Sequence, residues 1–156
     1  MSNQGVRGFY QLTQTIKNQL LTDINVKSVS TGNFSDIDVQ KQSIFPLSHI
    51  IIESASQEDG VLRFSIRVLS MDIVNQSKKA TTDLFVGNND EQDILNTQLA
   101  VVNRLVQVLR GGSLHQDGYQ LDGNAALSPF YDRFDNELAG WEASFDILLY
   151  NDIKIC

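Results

Sequence analysis

The chain has 156 residues, 42% of them apolar and 20% charged, a size and balance that suit one globular domain and argue against global disorder. Its formal charge of −7 and pI near 4.6 repel phosphate, so a chain-wide grip on DNA or on an anionic lipid surface is disfavoured. The one cysteine, Cys156, excludes an intrachain disulfide and fits a reducing compartment.

Met1 to Gly8 is polar and carries two glycines, so residues 1–8 are expected to form a flexible arm ahead of a single domain over 9–156. The arm lacks the apolar run of a signal peptide, and no window approaches the ~18 apolar residues of a membrane span. The expectation is a soluble chain, cytosolic when made. From Phe9 the pattern turns helical, with Phe9, Leu12, Ile16 and Leu20 on one face, and predicts an amphipathic helix to about Leu21. Val26 to Thr31 reads as a short strand ended by the turn pair Gly32-Asn33. Phe34 to Lys41 alternates as a modest edge strand, and Pro46 interrupts the run that follows. Leu47 to Ser54, rich in β-branched residues, and the alternating Val61 to Val68 predict an antiparallel hairpin around turn residues Ser56 to Gly60. Met71, Ile73 and Val74 continue the apolar strand end, and Asn75 to Thr82, with Lys78-Lys79, reads as an exposed loop.

Asn88 with Glu91 three residues on resembles a capping box, and Gly111-Gly112 after Arg110 supplies a stop. About twenty residues at ~1.5 Å each make a helix of roughly 30 Å. Its apolar residues fall in two adjacent stripes. Leu95, Leu99, Val102, Val106 and Leu109 form one; Ile94, Val101, Leu105 and Val108 form the other. Together they are wider than the ~100° that a helix lying on one core requires. Gln98 sits within that face. Deep burial between sheet and first helix explains the width, and so does cover by another subunit. Gly112 to Ser128 reads as a long loop with turn pairs Asp117-Gly118 and Asp122-Gly123 and a short extended Tyr119-Gln120-Leu121 between them. Phe130 to Asp135 is expected to pair, through a turn at Asn136 to Gly140, with the closing strand Leu138 to Leu149. On that strand Trp141, Ala143, Phe145, Ile147 and Leu149 face inward, while Glu142, Ser144 and Asp146 face outward. Asn151 to Cys156 reads as a polar turn and tail. The predicted fold is α+β: a single antiparallel β-sheet flanked by an N-terminal helix and one long amphipathic helix.

The residues offer no catalytic, cofactor-binding or metal-binding constellation. His49 and His115 are the only histidines and have no second ligand at metal spacing. His49 reads as a sheet-surface residue and His115 as a loop residue. Asp36 and Asp38 share a strand face, but exposed strand carboxylates are common. Asn88 to Asp93 lacks the glycine and closing glutamate of a calcium loop. Gly111-Gly112 is not a phosphate loop, and no Gly-x-Ser-x-Gly elbow occurs. Cys156 has no basic residue fixed beside it to activate the thiol.

Three stretches carry a family resemblance. They are Gln42 to Ile51 (QSIFPLSHII) with Val68 to Val74 (VLSMDIV), Val86 to Ala100 (VGNNDEQDILNTQLA), and Leu138-Ala139-Gly140-Trp141 through Phe145 with Asn151-Asp152 and Ile155-Cys156. Together they resemble small neck and tail proteins of tailed bacteriophages, most of all those of crAss-like phages that infect Bacteroides-type bacteria. The resemblance covers most of residues 36 to 156. It implies a virion structural protein, similar to tail terminators, that forms a homo-oligomeric ring in the head-to-tail connector or tail barrel. Twelve-fold rings are favoured over six-fold, with neighbouring portal, neck and tail proteins as partners. Genomic DNA would pass through the channel without sequence-specific binding, and no cofactor, membrane or small-molecule substrate is implied. The implied location is the virion, and the host cytoplasm during assembly. Negative charge suits a channel wall, for which Asp36, Asp38, Glu142 and Asp146 are the candidate residues. The alternative from another class is a cytosolic, non-catalytic α+β binding module or enzyme accessory domain.

Overall fold

Strand alternation between Val61 and Ile73 generates two faces, and the rest of the molecule is arranged around them. The computed structural model describes residues 4–33, 44–74, 89–111, 119–132 and 138–150. In chain order these form α1 (Gln4–Leu21), β1 (Ser28–Thr31), β2 (Leu47–Glu58), β3 (Val61–Ile73), α2 (Asn89–Gly111), β4 (Gln120–Asp132) and β5 (Leu138–Tyr150). The five strands make one sheet in the order β1-β2-β3-β5-β4. The class is α+β, but the sheet is mixed, because β1 runs parallel to β2 with Ser28 opposite Leu47 and Thr31 opposite Ile50. This corrects the expected all-antiparallel sheet. Four alternating residues carry no signal of strand direction.

Other boundaries move as well. Helix α1 begins at Gln4, inside the expected arm. The hairpin turn shrinks to Asp59-Gly60, with Glu58 opposite Val61 and Gly60 at φ 74°. A two-residue loop of this kind matches the strand twist and uses glycine where φ is positive. Residues 56–58, read as turn by their polarity, stay in the ladder because backbone pairing continues past the buried part of the sheet. An irregularity between Ile52 and Ser54 leaves Glu53 as the extra residue of a bulge. The largest correction is β4. Residues 120–128 are strand, paired with β5 across a break between Asp122 and Ala126. Gly123, at φ 68°, sits in that break, so a turn-like Asp-Gly signal marks an interruption within a strand. The edge segment 34–41, the Lys78-Lys79 loop, the Asn88 cap, His115, the turn at 136–137 and the tail 151–156 lie outside the described residues.

Both helices cover one face. Leu12, Ile16 and Leu20 of α1, with Val101, Val102, Leu105 and Leu109 of α2, pack on Phe64, Ile66 and Val68 of β3 and on Ala143, Phe145 and Ile147 of β5. Each fully buried aliphatic side chain there contributes roughly 1.5–3 kcal/mol. The Trp141 indole N–H donates to the Leu95 carbonyl at 2.8 Å and ties β5 to the start of α2. Gln98 is 1% exposed within the chain itself, so the wide apolar face of α2 is filled by this chain's own sheet and helix. The opposite face is divided. At one end Phe45, Leu47, Leu69, Met71, Phe130 and Leu138 form a second buried cluster. At the other end the same strands present charge.

Candidate functional site

The charged half of the second face is set by strand register. Arg63, Ser65 and Arg67 alternate with buried Phe64 and Ile66 on β3, so all three point away from the helices. Antiparallel pairing places Ser65 opposite Asp146 and Arg67 opposite Ser144, which brings Glu142 diagonally beside Arg67. On the other side β2 supplies Glu53 and Glu58, and β4 adds Asp122 opposite Asp146.

These side chains form one connected lattice. Arg63 donates to Glu58 at 2.8 Å and to Asp122, and lies 3.6 Å from Asp146. The Ser65 hydroxyl donates to Asp146 at 2.8 Å. Arg67 donates to Glu142 at 2.5 Å and to Glu53 at 2.9 Å. The hydrogen bonds to Glu58 and Asp122 raise the Arg63 guanidinium further above its ordinary pKa. Around Arg67 partial burial opposes the charge, but the hydrogen bonds it donates to Glu142 and Glu53 outweigh it and the net shift is again upward. Both arginines therefore stay charged at every pH the fold survives. Among the described residues of this half of the face, five carboxylates meet two guanidiniums, a surplus of negative charge.

The outward position read for Glu142 and Asp146 is correct, but neither is an isolated acid. Their arginine partners could have been anticipated: the pattern Arg-x-Ser-x-Arg on one strand complements Glu-x-Ser-x-Asp on another once the two are paired antiparallel. Asp36 and Asp38 lie outside the described residues. His49 is not a surface residue. It is fully buried, its Nε2 donates to the Gly32 carbonyl at 2.9 Å, and its Nδ1 lies 2.7 Å from the Ser30 hydroxyl. The ring thereby ties the short β1 to β2.

A second polar contact braces the helix layer. Arg104 of α2 grips Asp23, just after α1, through bonds of 2.7 and 2.8 Å, and Asp23 also accepts the Asn25 amide at 3.0 Å. Burial works to raise the Asp23 pKa, but the Arg104 and Asn25 contacts prevail and lower it. A cleft of about 280 Å³ opens beside this pair, lined in part by Leu20, Val101 and Leu105.

Among the described residues no group of three His, Cys, Asp or Glu side chains could hold a metal ion. The Ser65–Asp146 pair has no histidine within it, and Arg63 occupies the space beside it. No helix among the described residues is long and apolar enough to cross a membrane. The arrangement is a cross-strand clamp with a net negative surface, presented on a sheet braced from behind by two helices. No protein-family model matches the chain, and no curated protein matches it.

Proposed function

We propose that the chain is a non-enzymatic structural protein of a tailed bacteriophage virion. In this reading it forms a tail terminator-like ring in the head-to-tail connector or tail barrel, with twelve copies favoured over six, and contacts adjacent portal, neck or tail proteins. The sequence resemblance in the three stretches quoted above names the family. The observation that carries the reading onto this chain is the clamped, net-negative half of the second sheet face. A surface whose carboxylates are held in a lattice keeps its shape while repelling phosphate, and a duplex can slide past without being gripped.

The test is assembly. Native mass spectrometry and light scattering on the purified chain, alone and with a portal protein from the same source, should show a closed ring or portal-templated incorporation. A chain that stays monomeric at high concentration and never joins the portal assembly would favour the cytosolic binding-module alternative.

A further inference from the structure

The loop that joins α1 to β1 is fixed around one residue. The Asp23 carboxylate accepts two bonds from Arg104 and one from the Asn25 amide. Its backbone is held as well: the Asp23 amide donates to the Leu20 carbonyl, and the Asp23 carbonyl accepts the Val26 amide, both at 3.1 Å. Ile24 sits inside this frame and is 96% exposed, the most exposed large apolar residue among those described. A single apolar residue on a loose surface loop means little. On a loop tied at both flanks it is presented in one place, which spares a binding contact the cost of ordering it.

Ile24 stands on the rim of the cleft of about 280 Å³. One wall of the cleft is the loop itself and the other is Arg104, with buried Leu20, Val101 and Leu105 behind them. The walls and backing belong to two continuous described stretches, 4–33 and 89–111, so the shape of the cleft borrows nothing from chain outside them. Charge selects the occupant. The chain carries −7, and two copies repel wherever their acids meet. At the cleft Asp23 and Arg104 cancel, and the other lining residues are uncharged. A patch depleted of net charge, with an apolar anchor beside a polar rim, has the make-up of an interface centre.

We infer that Ile24 of one copy seats in the cleft beside Asp23 and Arg104 of a second copy, and reciprocally, so that the chain pairs about a two-fold axis at this end of its helix layer. Knob and hole lie on one patch, which is what a self-complementary contact requires. With one anchor from each copy the contact is small and belongs to the weak, transient class. A two-fold contact joins copies in pairs and does not run round a ring. It is therefore separate from the contacts the ring reading needs: it pairs free chains, or one ring with another.

Sedimentation velocity on the full chain, from about 10 µM to about 1 mM, should show a reversible doubling of the mass of the monomer, or of the ring where rings form. Ile24→Asp should leave the thermal transition in place, because the side chain is exposed, and weaken the doubling by about tenfold or more. Ile24→Leu should keep it. In a mixture of isotope-labelled and unlabelled copies, filtered NMR spectra should show Ile24 methyl contacts to Leu20 or Leu105 of the other copy. A chain that never doubles, doubling that Ile24→Asp leaves unchanged, or Ile24 contacts only outside the cleft overturns the inference. The same runs score the ring reading separately: rings of Ile24→Asp chains support it whatever becomes of the pairing, and a dimer with no ring supports the pairing alone.

Discussion

Gly140 of β5 offers the sharpest test of the strand packing. It stands opposite Met71 of β3 and Phe130 of β4. A Cβ built there would lie 1.9 Å from the Ser70 carbonyl oxygen and 2.8 Å from the Met71 Cα, both backbone atoms that no rotamer change can move. Gly140→Ala therefore has to push β5 from β3 by about 1 Å or more, which carries neighbouring N–H···O distances from ~2.9 Å to beyond the ~3.2 Å limit of a sound bond. Overpacking of this kind costs roughly 1–3 kcal/mol, and each disrupted ladder bond adds about 1 kcal/mol. With two such bonds the expected loss is about 3–5 kcal/mol. That is a large share of the ~5–15 kcal/mol that holds a typical domain together, and it lowers the melting temperature by on the order of 10 °C. Urea unfolding followed by the fluorescence of the single tryptophan, Trp141, measures the change directly. Gly60→Ala is the control: its Cβ meets nothing within 4 Å, so only the positive φ of 74° penalises it, by about 1 kcal/mol. A Gly140→Ala loss below about 1 kcal/mol, or one no larger than that of Gly60→Ala, would refute the close approach of β3 and β5.

Gln98 gives an opposite sign. Its Oε1 is buried with no hydrogen-bond partner among the described residues, so Gln98→Met should raise stability by about 1–2 kcal/mol in the same urea assay. Gln98→Arg should abolish the monomer's thermal transition, since the side chain is enclosed by the chain itself. Trp141→Phe removes the bond to the Leu95 carbonyl and some packing volume, and calorimetry should register a loss of about 1–2 kcal/mol. The Asp23 carboxyl is lowered in the folded state, so its contribution is fully present above the usual carboxylate pKa of about 3.9 and disappears as pH falls through the lowered value. Asp23→Asn should accordingly be less stable than the parent at neutral pH and lose less on acidification, as chemical denaturation at stepped pH would show.

The legible parts of the fold were those in which one physical signal dominates. Period-two alternation located β3 and the inward and outward sides of β5, and 3.6-residue periodicity located both helices. The parts that stayed hidden depend on partners distant in sequence. Residues 122–128 look like loop because Asp122 and Gly123 are turn formers, and only pairing with β5 makes them strand. The parallel pairing of β1 with β2, and the His49 bonds that tie the two together, are not encoded in four residues. The second buried cluster was missed for a related reason: Leu69, Met71 and Leu138 lie on the same side of the sheet as the arginines, and face assignment by polarity alone cannot divide one face into an apolar end and a charged end. For the candidate site, the outward Glu142 and Asp146 were legible and the lattice was not, because cross-strand partners need a register.

The ring reading is tested most directly in the particle itself. Mass spectrometry of purified virions from the genome that encodes this chain, with cryo-electron microscopy of their necks and tails, should find the chain at a fixed copy number of six or twelve, in a ring around the DNA channel. Virions that lack the chain, while the host cytosol holds it as a monomer, would contradict the account.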